Sequence, residues 1–361
     1  MNKLFLGAIC AACCTSAANA QSSVTLFGLM DVGVTALSNQ GGSHGIAMDT
    51  GTLSPNLFGL RGTEDLGGGL KATFKLEGQF EMGTGALDGN EFGRESWVGL
   101  QSNKWGAVTA GNQYDYMFTS LSKNRLGPEM PYVSLNNLRQ GPFAGLGKPQ
   151  VPSSDFDFDR TAGAQRLNNS VGYQSPTIQG LTFGGIYELG GQAGAFGNGS
   201  AYSFGADYLQ STYSLDAAYT MVKYAAINNG NSGIRNFGFG GRIAVWKGWA
   251  DILYTNTYNT FTGAAINAFE IGGTYPVAQA TTIALSYEYM KGNAVLQDNK
   301  ANQVNLTLDY ALSKSTDAYV SAVYQNASGD PATATAWILG TNGASSNGTQ
   351  SLLRVGMRHF F

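Results

Sequence analysis

The stretch LKATFKLEGQF at residues 70–80 decides the fold class. Its side chains alternate without interruption, with Leu70, Phe74 and Leu76 on one face and Lys71, Lys75 and Glu77 on the other. A period of two is typical of a β-strand that lies between an apolar environment and water. The same alternation recurs along the whole chain in sixteen segments, which start near residues 24, 57, 70, 94, 106, 166, 181, 202, 213, 235, 249, 268, 282, 303, 317 and 351.

The first twenty residues have the form of a secretory signal peptide. A short basic start precedes the apolar run 4–14, and Ala18-Asn19-Ala20 has the small residues of a cleavage site. We therefore predict a signal peptide at 1–20 and a single mature domain at 21–361. A lipoprotein signal at Cys13 is disfavoured, because Cys10 rather than an aliphatic residue stands three positions before it. All three cysteines lie in the predicted signal peptide, so no disulfide is expected.

The charge balance and the distribution of apolar residues limit the functions that the chain could have. The chain has 21 basic and 24 acidic side chains, which gives no reason to expect nucleic-acid binding. Charged residues make up only 12% of the chain, and 50 of its 361 residues are glycine. No stretch of the predicted mature chain reaches the roughly 18 to 20 continuous apolar residues of a membrane helix. If the protein lies in a membrane, only a closed β-barrel can pair all of its backbone groups there.

The connections between the alternating segments differ in length in a regular way. Short connections such as 63–69 and 101–106 alternate with long ones rich in Gly, Asn and Ser, such as 37–56 and 112–165. Short turns at one rim and long loops at the other are typical of an outer-membrane barrel. A periplasmic or surface β-sandwich is the alternative, but the nearly continuous apolar faces and the charged polar faces favour the barrel. We predict an all-β fold, a 16-stranded antiparallel transmembrane β-barrel, with both termini on the short-turn side.

With these segments identified, the chain resembles the general porins of Gram-negative bacteria, in particular the sixteen-stranded trimeric type of beta-proteobacteria. The motifs that carry the resemblance are SSVTLFGLMDVGV (22–34), GLRGTEDLGGGLKATFKLE (59–77), RESWVGLQSNKWGAVTAGNQYD (94–115), RLNNSVGYQSP (166–176) and RVGMRHFF (354–361). The resemblance implies a homotrimer in contact with outer-membrane lipid and lipopolysaccharide, which passes ions and small hydrophilic solutes by passive diffusion. It also implies that the outer-membrane assembly machinery reads the strand that ends at Phe361.

The resemblance further implies a constriction, formed where the third long loop folds into the barrel. Residues 112–165 match that loop, and its expected lumen-lining acids are Glu129, Asp155, Asp157 and Asp159. The expected basic residues on the opposite wall are Arg61, Lys75, Arg94 and Arg166. If Arg94 follows the strand alternation into the lumen, Trp97 must point outward. By strand alternation Arg61 falls on the polar, inner face of its segment, and Leu57 shares that face. Relatives commonly carry arginine at the position of Leu57, so the preference for anions or cations stays open.

Other functions have less support in the sequence. A substrate-specific channel for a sugar or a small organic acid remains an alternative. No cofactor is predicted, since calcium at residues 154–159 would need Gly where Arg160 stands, and His44 and His359 lack zinc-ligand partners. An outer-membrane enzyme is disfavoured because the chain lacks an H-E-x-x-H pattern and offers only two histidines, His44 and His359, as a base for a nucleophile. A surface adhesin would rest on the long loops alone.

Overall fold

The computed structural model describes residues 23–133, 140–149 and 156–361. The described chain is built almost entirely of antiparallel strands. They are β1 (Ser23–Gln40), β2 (Ser43–Thr50), β3 (Leu57–Gly67), β4 (Leu70–Gln79), β5 (Glu95–Ser102), β6 (Gly106–Gln113), β7 (Leu167–Gln174), β8 (Leu181–Glu188), β9 (Ala201–Leu209), β10 (Tyr213–Lys223), β11 (Gly233–Val245), β12 (Gly248–Asn259), β13 (Ala265–Ala278), β14 (Thr281–Gly292), β15 (Lys300–Ala311), β16 (Thr316–Ser328) and β17 (Thr349–Phe360).

The sheet closes on itself where the last strand meets the first. Strand β17 pairs with β1 in a register that places Phe360 opposite Leu29, and β1 pairs on its other edge with β3. Phe361 continues the seam, since its N–H donates to Gly28 O at 3.1 Å and its carbonyl accepts from Gly28 N at 3.0 Å. Strand β1 together with β3–β17 makes a closed barrel of sixteen strands, which confirms the predicted fold class. Closure pairs the backbone groups that an open edge would leave exposed.

Strand β2 lies outside this count of sixteen. It folds back on the upper part of β1, with Ile46 opposite Ala36 and Met48 opposite Val34. The sequence predicts only a long connection at 37–56, whereas the structure contains a hairpin strand there. The outward side chains Ile46 and Met48 are 79% and 66% exposed, so the hairpin extends the apolar outer face of β1.

The alternation seen in the sequence separates the outer surface from the barrel interior. On β17, Val355 and Met357 are largely exposed on the outside, whereas Arg354 and Arg358 are buried inside. This is the reverse of a soluble protein, in which charged side chains face out, and it fits a barrel with an apolar outer face. Among the described residues, no helix is long and apolar enough to cross a membrane.

The third loop, residues 114–166, is the longest connection and carries most of the helical structure. Its short helical segments are Tyr116–Phe118, Thr119–Asn124, Gly127–Glu129, Met130–Val133 and Ala144–Leu146. Two further single turns lie in other long loops, at Asn228–Gly230 and Ala294–Leu296. The third loop packs inside the barrel against the wall, and it therefore decides how much of the interior remains open.

Candidate functional site: the constriction of the barrel

The third loop is anchored to one side of the barrel by a buried arginine. Arg125 is fully buried and forms ion pairs with Asp251 on β12 and with Glu270 on β13, the latter at 2.8 Å. Its Nε donates to the carbonyl of Leu121 at 2.6 Å, which ties the side chain to the helical turn that carries it. A buried cation paired with two carboxylates holds the loop firmly, because separating them would leave charge unpaired in the interior.

Further contacts hold the first part of the loop against β9. The backbone N–H of Tyr116 donates to Ser203 Oγ at 2.9 Å, and Ser120 Oγ donates to Asp207 Oδ2 at 3.0 Å. Inside the loop, Arg160 forms a buried ion pair with Asp115, whose carboxylate also caps the helical turn at Phe118. The open part of the interior is therefore left on the opposite side, next to β1 and β3–β8.

The acidic residues predicted to line this opening lie instead on the packed side of the loop. Asp157 is 1% exposed and accepts from the backbone N–H groups of Ala162 and Ala164, both at 3.0 Å. Asp159 is 2% exposed and accepts from Thr255 Oγ1 on β12 at 2.7 Å. The expectation of an acidic strip facing the opening is thus corrected for these residues, because the loop uses their oxygens to hold itself together and to bind the wall. Asp155 lies outside the described residues.

Glu129 is the third predicted acid that the structure places away from the opening. It is 2% exposed and lies near Arg242, Asp251 and Arg125. Burial, with a smaller contribution from Asp251, raises the pKa of this loop carboxyl from its ordinary value of 4.5 to about 8, although Arg242 and Arg125 oppose the shift. Glu129 is therefore mostly protonated near neutral pH and adds little negative charge to the interior.

The raised pKa of Glu129 predicts that the loop is held less tightly as the pH rises. Between pH 4.5 and about 8 the docked carboxyl keeps a proton that a solvated carboxyl would lose, so docking weakens through this window. We expect single-channel current noise in planar bilayers to be low at pH 5 and higher at pH 8.5. Glu129→Gln, which stays neutral, should remove this dependence, and equal pH profiles for both proteins would contradict the assignment.

A cavity of about 740 Å³ remains between the third loop and the wall. Its charged lining residues are Lys75, Glu77, Arg94, Glu95 and Lys123. The wall contributes them from β4, from β5 and from the residue just before β5, whereas Lys123 comes from the loop. This cavity is the open space that the described residues leave between the third loop and the wall.

Arg61 and Lys75 face the barrel interior side by side. They are directly opposite each other in the β3–β4 register, and both approach the ring of Phe27, with Arg61 Cζ at 5.3 Å and Lys75 Nζ at 5.5 Å from its centroid. Lys75 is ion-paired with Glu77 at 2.7 Å and with Glu95. Arg61 is exposed and forms no ion pair with any described residue. The structure thus brings these two predicted residues together.

Arg94 and Arg166 form a second basic group around one tyrosine. Arg166 Nη2 donates to Tyr114 Oη at 2.8 Å and its Nε donates to the carbonyl of Arg94 at 2.9 Å. The guanidinium of Arg94 also donates to Tyr114 Oη, and it pairs with Glu77 at 3.0 Å. Two like charges on one phenol repel each other, and Glu77 partly offsets that repulsion. Arg94 lines the cavity, whereas Arg166 lies half-buried behind Tyr114.

The link that the sequence suggested between Arg94 and Trp97 was wrong. Arg94 precedes the first residue of β5, so the strand alternation does not determine its direction. On β5, Glu95 and Trp97 line the cavity, whereas Val98 points outward and is 61% exposed. Tyr114 and Glu95 are functional candidates that the sequence analysis missed. Glu95 could have been found, because its position opposite Glu77 follows once the β4–β5 register is known.

A sequence profile of the Gram-negative porins matches residues 6–330. The chain belongs to the Gram-negative porin family. The porin is 29% identical to outer membrane porin protein 32 of Delftia acidovorans, an alignment that covers 96% of each chain. It is therefore an outer-membrane channel and not an enzyme.

Solved structures agree with the fold of the porin. The anion-selective porin from Comamonas acidovorans superposes with a TM-score of 0.76 at 24% identity, covering 94% of the porin and all of that chain. The outer membrane protein OmpT of Vibrio cholerae in its trimer form gives a TM-score of 0.64 at 14% identity, covering 94% of the porin and 99% of that chain. At these identities the likeness shows a shared barrel fold.

Proposed function

We propose that the porin passes ions and small hydrophilic solutes by passive diffusion, and that its constriction favours anions. The observation that carries this proposal is the position of Lys123. It lies on the third loop, exposed and lining the cavity, where a negative charge was expected from the sequence. No described residue forms an ion pair with it. Cations therefore border the cavity from the loop as well as from the wall.

The balance of charge around the cavity supports the same preference. The cavity is lined by three basic residues, Lys75, Arg94 and Lys123, and by two acidic ones, Glu77 and Glu95. Both acids already form ion pairs, Glu77 with Lys75 and Arg94, and Glu95 with Lys75. Arg61 and Arg166 stand next to the cavity and add two further positive charges. Fixed charges beside a narrow, water-filled gap concentrate counter-ions there, so chloride should enter more readily than potassium.

The porin family and the sequence motifs support a membrane environment, an oligomeric state and an assembly route for the channel. The apolar outer face would contact outer-membrane lipid and lipopolysaccharide. A homotrimer is supported by the trimer form of the Vibrio cholerae neighbour. Residues 1–20 would be removed as a signal peptide, and the assembly machinery would recognise the strand that ends at Phe361. In the folded porin Phe361 belongs to the closing seam, where its backbone pairs with that of Gly28.

Reversal potentials in a KCl gradient test the proposed preference. The wild-type porin should be more permeable to chloride than to potassium, and Lys123→Glu should lower the permeability ratio about fivefold. A change of two charges acting over about 9 Å of water is worth about 1 kcal/mol, which corresponds to this factor.

Lys104→Glu is the matched control. It makes the same change in charge on the short turn between β5 and β6, and Lys104 is not among the residues that line the cavity. Salt screens charges beyond about 10 Å, so this variant should leave the permeability ratio nearly unchanged. A Lys123→Glu porin with the wild-type reversal potential would overturn the proposed role of the loop.

A further inference from the structure

An apolar shelf faces the water-filled interior of the porin. Its members Phe27, Leu29 and Leu57 all line the cavity. The register explains their common direction, because Leu29 lies opposite Leu57 and Phe27 opposite Gly59 on the face that also carries Arg61. Phe27 and Leu57 are partly exposed there, whereas Leu29 is only 7% exposed. Apolar groups exposed in a channel for hydrated ions contact water without a gain for the ions. The shelf therefore calls for a functional explanation.

The position of the Phe27 ring in the shelf depends on the glycine at residue 59. The ring of Phe27 lies next to Gly59, where a Cβ atom would come within 2.7 Å of the ring and 2.5 Å of the Leu76 carbonyl oxygen. A side chain at residue 59 would lift the ring from the wall. With glycine there, the ring stays beside the cationic groups of Arg61 and Lys75, at 5.3 and 5.5 Å.

The third loop presents matching chemistry to the same cavity. Phe118, Met130 and Pro131 line it from the loop, and Lys123 is the cation among them. Cavities of roughly 300–1,000 Å³ with mainly apolar walls and a few convergent polar groups are typical of small-molecule sites. The volume of about 740 Å³ falls within this range.

We propose that this cavity is a binding station for organic monocarboxylates that carry an apolar body. The carboxylate is held by Lys123, which lines the cavity, and by Arg61, which stands beside it over the Phe27 ring; neither has a carboxylate partner among the described residues. The apolar body lies on the shelf formed by Phe27, Leu29 and Leu57. The inference rests on the proposed anion preference and names the substrate class of the same constriction.

Other solute classes fit this arrangement less well. A dicarboxylate would place its second charge against the shelf, where it would lose water without gaining a partner. A sugar needs several hydrogen-bonding groups aimed at it, but the acids at this site are already engaged by Lys75 and Arg94. Inorganic anions gain nothing from the shelf. A guanidinium and an ammonium at the edge of an apolar surface match a single carboxylate at the end of an apolar body.

Benzoate and nicotinate are the probes that test the proposal, since they share size and charge but nicotinate has a more strongly hydrated ring. Either acid is titrated into the chloride current of the porin in planar bilayers. Benzoate should reduce that current saturably, at about fivefold lower concentration than nicotinate. Leu57→Gln should abolish the difference between the acids, and Leu57→Met should keep it. Leu60→Ala, which trims an outward leucine of the same strand, should leave both titrations unchanged.

The outcomes separate this proposal from the proposed anion preference. Equal titrations for benzoate and nicotinate, or block by malonate at the concentration effective for benzoate, would overturn the monocarboxylate station. Chloride selectivity, measured in the same channels from reversal potentials, would then still support the general anion preference. A porin without chloride selectivity would overturn the anion preference itself, whatever the two acids do.

Discussion

Replacing Asp31 with alanine is expected to lower the free energy of unfolding of the barrel by about 3–5 kcal/mol, because it removes the buried carboxylate partner of a buried cation. Asp31 is fully buried on β1 at the seam. Its carboxylate accepts from Arg354 Nη2 at 3.3 Å, from Tyr319 Oη, and from the backbone N–H groups of Leu53 and Ser54 at 3.0 Å each. One side chain thus joins the first strand to β16, β17 and the first loop.

The effect can be measured by denaturant unfolding of the detergent-solubilised porin, followed by the loss of β-sheet circular dichroism. Asp49→Ala is the matched control, since Asp49 Oδ2 lies 3.8 Å from Nη1 of the same arginine but its side chain is 23% exposed. A partly solvated pair at that distance should contribute less than about 1 kcal/mol. If the two variants unfolded at the same denaturant concentration, the assigned role of Asp31 at the seam would be wrong.

Replacing Arg125 with methionine should release the third loop from the wall. The variant removes the cation from two buried carboxylates, those of Asp251 and Glu270, and Glu129 is close by. Breaking a buried ion pair costs about 3 kcal/mol or more, which shifts the balance between docked and undocked loop on the order of a hundredfold. We expect frequent sub-conductance steps and closure at lower voltage in single-channel records.

Two further variants test whether the expected sub-conductance steps arise from loss of the Arg125 ion pairs. Lys123→Met removes a neighbouring cation that faces the cavity, so it should change ion selectivity without adding sub-conductance steps. Combining Arg125→Met with Asp251→Asn and Glu270→Gln removes the unpaired charge and should restore a quiet channel in part. Records of Arg125→Met that match the wild type in noise and in closing voltage would show that the loop is held by other contacts.

The strands of the barrel could be predicted because the side chains of each strand alternate between polar ones, which face the interior, and apolar ones, which face outward. Strand β4 begins at Leu70 as predicted, and the alternation continues to Gln79. The β15 segment, predicted to start near 303, begins at Lys300. The difference of three residues is small. It arises because register and twist, rather than polarity, decide where a strand ends. Strand β2 was missed, since its Gly and Asp residues are as typical of a loop as of a hairpin strand.

The constriction could be predicted only in part. Arg61 and Lys75 follow strand parity, and the structure places both facing the interior. The direction of Asp157 and Asp159 could not be read from the sequence, because an irregular loop has no period to separate its two sides. Their carboxylates bind the loop and the wall, whereas the exposed Lys123 faces the cavity. This difference reverses the sign of the charge on the loop side of the constriction.

The sequence by itself determined the barrel, its sixteen strands and its inner and outer faces, since alternation is a local property that every strand must satisfy against hydrocarbon and water. It also placed Leu57 on the inner face. Only the tertiary structure decided which side of the third loop faces the opening and that Phe27, Leu29 and Leu57 meet in one shelf. These features depend on contacts between residues far apart in the chain, such as Arg125 with Glu270. The free energy of such contacts is set by burial and partners, which no short stretch of sequence specifies.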